Sequence, residues 1–213
     1  MFHMSEFEII ERFFKKAHPN SKGDLALGIG DDAAIINVPE DSELVMSMDT
    51  LVSGVHFFED ASAENIAFKS LSVNLSDIAA MGASPRWISL ALTLPEKDLG
   101  WIERFASSFN TLAEEHSLVL IGGDLTQGPL SITVQIHGVN PKGKSLRRSG
   151  ANPGDVIYVS GNLGAAAYAL KNIEGSILYP AATEKEIQQL HRPKARIKTG
   201  IALRDVATSC IDI

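Results

Sequence analysis

Residues 62–94, SAENIAFKSLSVNLSDIAAMGASPRWISLALTL, place a helical pattern directly before a strand pattern. Ser62 is a suitable N-cap and Gly82 a suitable stop, and apolar side chains recur at helical spacing between them. This pattern predicts a helix over 62–81. The apolar run over 86–94 predicts a strand. A long helix followed at once by a strand indicates an α/β (α+β) fold.

The same patterns extend on both sides of this stretch. We expect an N-terminal domain at 1–140 that contains both helices and strands. Its further predicted elements are a helix over 5–17, short strands over 33–38 and 44–48 joined by the turn PEDS, a helix over 98–116, a strand over 118–124 that runs into a turn, and a half-buried strand over 130–139.

A stretch rich in glycine, proline and basic residues separates this domain from a second unit. It predicts a linker over 141–154. The unit at 155–213 is expected to be the start of a C-terminal α/β domain, incomplete because the strand-like end SCIDI has nothing after it to pack. Its other predicted elements are the strand VIYVSG at 156–161, a helix starting in NLGAAAYAL, and helices over 183–191 and 193–207.

Composition and charge exclude several classes of function. The chain has 213 residues and a net charge of −7, so no global basic field attracts nucleic acid or an anionic membrane. No run of about 20 apolar residues is present, and the N-terminus does not have the pattern of a signal peptide. A single cysteine, Cys210, fits a reducing compartment. We therefore expect a cytoplasmic protein.

A group of aspartates stands inside or beside apolar segments, where an isolated carboxylate is costly to remove from water. Few lysines or arginines are near them in the sequence, so divalent cations are the natural counterions. Mg²⁺ prefers carboxylate oxygens and is usually held by one or two carboxylates together with a phosphate. Convergence of these aspartates therefore predicts more than one Mg²⁺ and a bridging polyphosphate ligand. They are Asp31 and Asp32 in GIGDDAA, Asp49 in LVMSMDTL, Asp77 in SVNLSDIAAMG, Asp124 in VLIGGDLT and Asp212 in SCIDI.

Each of these aspartates also has a simpler interpretation. Aspartate is common in turns, which is an alternative explanation for Asp31, Asp32 and Asp124. Asp49 can cap a helix or turn. Asp212 stands at a chain end. The predicted helix has a polar stripe that is also typical of a solvated face, and it consists of Ser70, Asn74 and Asp77.

Other motifs have two interpretations or fail a structural requirement. GIGDDA at 28–33 matches a relaxed dinucleotide fingerprint, but β-type residues follow it where a helix is needed, so we reject that site.

The glycines in VSGNLGAAAYAL either hold an anion or permit close helix–strand packing. His56, among bulky apolar residues, is typical of a core or loop histidine. Arg147 and Arg148 either clamp a phosphate or are surface charges.

The chain carries, in order, the motifs GIGDDAA, MDTLVSGVHF, VNLSDIAAMGASP, IGGDLT, RRSGANPGD, VSGNLGAAAYAL, HRPKAR and CIDI. Together they resemble the thiamine-monophosphate kinase family. That family belongs to a superfamily with aminoimidazole ribonucleotide synthetase and selenophosphate synthetase. The resemblance implies ATP-dependent phosphorylation of thiamine monophosphate to thiamine diphosphate, several Mg²⁺ ions and a homodimer. It also implies that the N-terminal domain has a mixed or antiparallel sheet covered by helices, and that this sheet pairs with that of a second subunit to form a barrel.

The resemblance also implies roles for particular residues. Asp32, Asp77 and Asp124 would be catalytic. Gly123, Asp124 and Arg148 would bind ATP, and His56 would contact the substrate. The Mg²⁺ ligands would be Asp32, Ser47, Met48, Asp49, Asp77, Asp124 and Asp212.

The sequence departs from the family pattern in two places. The family usually has threonine at the position of Met48, and a thioether is a poor Mg²⁺ ligand, so only the backbone carbonyl of Met48 would serve. The family also continues after CIDI with Ser-Asp-Gly and a stretch that completes the second domain. We therefore expect the 213-residue form not to be fully active.

The predicted reaction needs no strong general base, because the second pKa of a phosphate monoester is about 6 and the acceptor oxygen is ionised near pH 7. Direct in-line transfer then depends on positioning and electrostatics. Two alternatives stay open. One is another ATP-using enzyme of the same superfamily, and the other is a non-catalytic Mg²⁺–nucleotide-binding module.

Overall fold

A computed structural model describes residues 4–15, 23–176 and 180–213. The first helix, α1 (Glu6–Ile9), continues as a π-helical turn over Ile10–Phe14. The other helices are α2 (Ala63–Ala80), α3 (Leu99–Glu115), α4 (Ala165–Ile173), α5 (Glu184–His191) and α6 (Ile197–Ala202). The strands are β1 (Leu25–Leu27), β2 (Ile35–Ile36), β3 (Ser42–Val52), β4 (Ser84–Leu94), β5 (Val119–Gln127) and β6 (Ser131–Pro141). None of the helices described is both long enough and apolar enough to cross a bilayer.

The helix and strand predicted around 62–94 are confirmed as α2 and β4. The Ser62 side chain accepts a hydrogen bond from the Asn65 N–H at 3.3 Å and so caps α2. Gly82 ends the helix in the left-handed conformation, with φ at 65°. The helix predicted over 98–116 is confirmed as α3, whose N-cap Asp98 accepts hydrogen bonds from the first turn.

Four strands form one mixed sheet in the order β3–β6–β4–β5. The strand β6 runs antiparallel to both β3 and β4, while β4 and β5 are parallel. The prediction of a mixed α/β fold is therefore confirmed. Helices α2 and α3 cover one face of the sheet and form the main hydrophobic core with it. Fully buried side chains of this core include Leu71, Leu75, Ile88, Phe105, Phe109 and Ile132.

The opposite face of the sheet is only partly covered. At one end, residues from the hairpin β1–β2 pack on Trp87, Ile121 and Val139. The rest of β3 on this face presents Leu44, Met46 and Met48 to solvent, with 37%, 58% and 61% of their surface exposed. We call the surface formed by Leu44, Met46 and Met48 the open face. An uncovered apolar sheet face of this kind is typical of a surface that contacts another polypeptide.

Several predicted elements differ from the structure. The strand predicted at 156–161 is wrong, because this segment pairs with no strand among the described residues and Ile157 and Tyr158 are 91% and 88% exposed. The end SCIDI also forms no strand. The helix predicted over 193–207 is limited to α6, which turns at Leu203. The strand predicted over 118–124 does not stop in a turn but continues through Asp124 to Gln127. The first predicted helix agrees with α1 and its π-turn up to Phe14, and its last two positions lie outside the described residues.

The C-terminal residues are docked onto the end of α2. Arg204 Nε donates a 2.5 Å hydrogen bond to the Gly82 carbonyl. Gly200 on α6 lies against the Ala79 carbonyl so closely that a Cβ atom at Gly200 would overlap that oxygen. The Cys210 N–H donates to the carbonyl of Arg147 at 2.9 Å, which ties the final residues to the predicted linker. These contacts bring the end of the chain next to the C-terminal half of α2.

We expect Gly200→Ala to lower the free energy of unfolding by about 1–3 kcal/mol, because the added methyl group must displace the α2 backbone. Urea denaturation followed by circular dichroism measures this change. Gly122→Ala is the matched control, since its Cβ would meet nothing within 4 Å. Equal losses of stability in the two variants would show that close packing of α6 on α2 does not stabilise the fold.

Candidate functional site

Polar side chains connect β3 to α2 within the otherwise apolar interface. The Ser47 hydroxyl donates a 2.6 Å hydrogen bond to Asp77 Oδ2, and the Asp49 N–H donates to Asn74 Oδ1 at 3.1 Å. Asn74 in turn donates to the Ser70 carbonyl at 2.9 Å. Ser70 and Asn74 are fully buried. The polar stripe of α2 is therefore an interface with β3 and not a solvated face.

Negative charge accumulates around Asp77. Burial raises the pKa of the Asp77 carboxyl group, the charges of Asp212 and Asp49 raise it further, and the hydrogen bond from Ser47 opposes these effects. Arg148 Nη2 lies 3.9 Å from Asp212 Oδ1, but the Arg148 side chain is 75% exposed, so this ion pair is weak. We call Ser47, Asp49, Asp77 and Asp212 the α2 acidic cluster. Its carboxylates give this end of α2 an excess of negative charge.

A second acidic group surrounds a cavity of about 500 Å³ at the edge strand β5. Asp31, Asp32 and Asp124 line this cavity together with Gly122 and Gly123. The Asp32 N–H donates a 2.8 Å hydrogen bond to Asp31 Oδ1, so the Asp31 side chain also stabilises the turn in which it lies. A Cβ atom at Gly123 would overlap the Leu90 carbonyl oxygen, so only glycine fits between β4 and the cavity. The opposite wall comes from Phe7, Ile10 and Phe14.

The two acidic groups are separate within one chain. Asp49, Val134, Leu90 and Gly123 form one row across the sheet, with Asp49 on one outer strand and Gly123 on the other. Three strand spacings separate these strands by about 14 Å. Within residues 4–15, 23–176 and 180–213, no three histidine, cysteine, aspartate or glutamate groups are placed to hold one metal ion. The structure thus groups Asp49 with Asp77 and Asp212, and Asp32 with Asp124, and their roles as metal ligands remain predictions.

The other predicted site residues lie near these groups or on separate surfaces. Met48 points to the open face, away from Asp77, because side chains alternate along β3. His56 is exposed in the turn after β3, where its Nδ1 accepts a 3.0 Å hydrogen bond from the Val52 N–H. It is therefore a loop histidine and not a core residue.

Two features were not recognised from the sequence. The first is that α1 and its π-helical turn form a wall of the acidic cavity. The amphipathic pattern of the aromatic residues in this helix was the available signal for it. The other is a cavity of about 820 Å³ near the start of β4 and β5, beside the Arg86–Asp24 ion pair at 3.2 Å. It contains none of the predicted site residues, and it depends on contacts between distant segments that leave no local pattern.

The mixed sheet, with two helices on one face and aspartates near the ends of its strands, defines the class of protein. Residues 30–140 match the family described as AIR synthase related protein, N-terminal domain. The chain therefore belongs to the AIR synthase-related protein family.

Within that class, several relatives are named thiamine-monophosphate kinase. The thiamine-monophosphate kinase of Salmonella typhimurium is 48% identical over 210 residues, which cover 98% of this chain and 64% of the relative. The crystal structure of thiamine-monophosphate kinase from Stenotrophomonas maltophilia K279a has a TM-score of 0.85 and 44% identity, covering 97% of this chain and 66% of that one. A structure of AaThiL complexed with AMPPCP and TMP has a TM-score of 0.73 and 28% identity, covering 98% and 67%. The resemblance to thiamine-monophosphate kinase is confirmed, and the chain spans a little under two thirds of the length of the curated relatives it matches.

Proposed function

We propose that this chain is the nucleotide- and metal-binding part of a kinase that phosphorylates thiamine monophosphate to thiamine diphosphate with ATP. The observation that carries this proposal is the α2 acidic cluster, in which Ser47 and Asp49 of β3 meet Asp77 of α2. Support also comes from the 48% identity to a thiamine-monophosphate kinase and from the relative that binds AMPPCP and TMP. We place this activity in the cytoplasm.

The domain organisation we propose follows the predicted boundaries. Residues 1–140 form the Mg²⁺–ATP-binding and dimerisation domain, 141–154 form the linker, and 155–213 begin an incomplete C-terminal α/β domain. The exposed apolar segment near Ile157 and Tyr158 is consistent with a region that packs only when this domain is complete.

The proposed metal is Mg²⁺, whose charge would offset the excess of negative charge around Asp77. When bound, Mg²⁺ supplies charge neutralisation and orientation for the phosphate groups. Because Mg²⁺ is usually held by one or two carboxylates plus phosphates, two separate acidic groups can serve one polyphosphate ligand. The residues proposed to hold it are Asp32, Ser47, the backbone carbonyl of Met48, Asp49, Asp77, Asp124 and Asp212.

The chain itself positions the two anionic substrates. Gly123 lets the β5 backbone approach the ATP phosphates closely, beside the carboxylate of Asp124. Arg148, whose guanidinium group is exposed, is available to pair with a phosphate. His56 contacts thiamine monophosphate. Since the acceptor oxygen is already ionised near pH 7, no side chain has to remove a proton, and transfer is direct, without a phosphoenzyme.

The open face is the surface we propose for a homodimer. Leu44, Met46 and Met48 lie side by side on β3, and pairing two such faces closes the sheets into a barrel. Such closure covers apolar surface and leaves the helices outside.

Incubation of the full-length protein with ATP, thiamine monophosphate and Mg²⁺ tests this function. We expect stoichiometric thiamine diphosphate and ADP, measured by liquid chromatography. Consumption of ATP with aminoimidazole precursors or selenide instead would favour another enzyme of the superfamily. Calorimetric binding of Mg²⁺–ATP without any turnover would favour a binding module.

A further inference from the structure

Lys69 on α2 carries a half-buried ammonium group that pairs with no carboxylate among the described residues. Its Nζ donates a 2.7 Å hydrogen bond to the backbone carbonyl of His56. In the part of the chain that the structure describes, no ion pair involves this lysine. Burial lowers the pKa of Lys69. Burial and the charge of Lys69 also lower the pKa of the neighbouring His191, which favours its neutral form. An unpaired charge in such a place is costly, which suggests a role other than stabilising the fold.

The lysine holds one side of the tight turn that follows β3. On the other side of this turn, the His56 N–H donates to the Val52 carbonyl at 2.9 Å, and the Val52 N–H donates to His56 Nδ1 at 3.0 Å. Because Nδ1 is the acceptor, the neutral ring carries its proton on Nε2. Three hydrogen bonds thus fix the backbone, the tautomer and the direction of an exposed imidazole.

The turn and the α2 acidic cluster are connected by a single helix. Lys69 and Asp77 are eight residues apart on α2, which corresponds to about 12 Å along the helix axis. Lys69 contacts the turn after β3 and Asp77 contacts Ser47 of β3, so a substrate with a phosphate at one end and a pyrimidine ring at the other can reach from the α2 acidic cluster to His56. The phosphate suits the metal-binding carboxylates, and the pyrimidine nitrogens are acceptors for an imidazole N–H.

We propose that Lys69 is a positioning residue, which fixes the His56 imidazole for contact with the pyrimidine end of thiamine monophosphate. This inference rests on the proposed function. Lys69 acts through the His56 carbonyl and does not itself contact the reacting phosphates.

A double-mutant cycle on the full-length protein tests this role. We expect Lys69→Met, which keeps the aliphatic stem, to raise the KM for thiamine monophosphate about tenfold, equivalent to about 1.4 kcal/mol. The kcat and the KM for ATP should stay within about twofold, because Asp77 and its neighbours are unchanged. In a His56→Ala background, the same substitution should have no further effect on KM. Lys69→Arg should restore most of the affinity, and Lys97→Met is the surface control.

Histidine NMR gives a readout that does not depend on activity. In ¹⁵N-labelled protein, Lys69→Met should change the tautomer ratio of the His56 ring, whereas Lys97→Met should not. The inference is overturned if Lys69→Met leaves both KM and the tautomer ratio unchanged, or if its effect adds fully to that of His56→Ala. If the unsubstituted protein does not phosphorylate thiamine monophosphate, the proposed function fails, and the NMR result still decides whether Lys69 orders His56.

Discussion

Asp77→Asn should lower kcat by at least about 100-fold and, in the absence of Mg²⁺, raise the free energy of unfolding. The loss of activity follows from the proposed role of this carboxylate in balancing charge during phosphoryl transfer, because one missing electrostatic group commonly costs that much. The gain in stability follows because Asp77 is partly buried beside Asp212 and Asp49, so its negative charge is unfavourable in the folded state. The isosteric amide still accepts the hydrogen bond from Ser47.

The pH dependence of stability distinguishes the removal of the Asp77 charge from a general change in stability. The pKa of Asp77 is raised in the folded state above its ordinary value of 3.8, so ionisation destabilises the fold. This penalty is absent below about pH 3.8 and grows as the pH rises through the folded-state pKa. The stability difference between Asp77→Asn and the unsubstituted protein should therefore be larger at pH 7.5 than at pH 4.

Steady-state kinetics and urea denaturation at these two pH values measure both effects. Glu103→Gln is the control, since it removes an exposed carboxylate from α3, on the solvent side of the molecule. A variant with normal kcat, or one whose stability falls at neutral pH, would show that Asp77 is a structural residue and not part of a charged site.

Met46→Asp should convert the proposed homodimer into a monomer. Met46 is 58% exposed in the middle of the open face, so in the proposed dimer a carboxylate there would be buried against the second subunit. Central positions of an interface commonly contribute 2 kcal/mol or more, which corresponds to a rise of about 30-fold or more in the dissociation constant.

Sedimentation velocity over a range of protein concentrations measures this change. Val206→Asp is the matched control, because Val206 is 73% exposed but lies outside the open face. A dimer that persists in Met46→Asp and dissociates in Val206→Asp would locate the interface in the C-terminal residues instead. A monomeric unsubstituted protein would contradict the proposed barrel.

Local patterns predicted the long elements of the N-terminal domain correctly. Ser62, Gly82 and Asp98 are capping or stop residues whose effect depends on their own backbone, so α2 and α3 have nearly the predicted limits. The segment VIYVSG was misassigned for the opposite reason. Its composition favours a strand, but a strand requires a hydrogen-bonded neighbour, and none of the described residues provides one.

The candidate site was only partly predictable. Each aspartate was recognised from its apolar surroundings, and the stripe of Ser70, Asn74 and Asp77 indicated which side of α2 carries polar groups. Whether that stripe faces solvent or β3 depends on tertiary packing. The order of the strands decides which carboxylates meet, so the separation of Asp124 from Asp49 was not accessible from spacing alone.

The central claim is that carboxylates distant in sequence bind the metal ions that hold ATP and thiamine monophosphate together. A crystal structure of the full-length protein with Mn²⁺ in place of Mg²⁺, AMPPCP and thiamine monophosphate tests it most directly. We predict anomalous scattering peaks within coordination distance of Asp77 and its neighbours Asp49 and Asp212, each also in contact with a phosphate oxygen. Bound nucleotide with metal peaks that touch none of these carboxylates would contradict the claim.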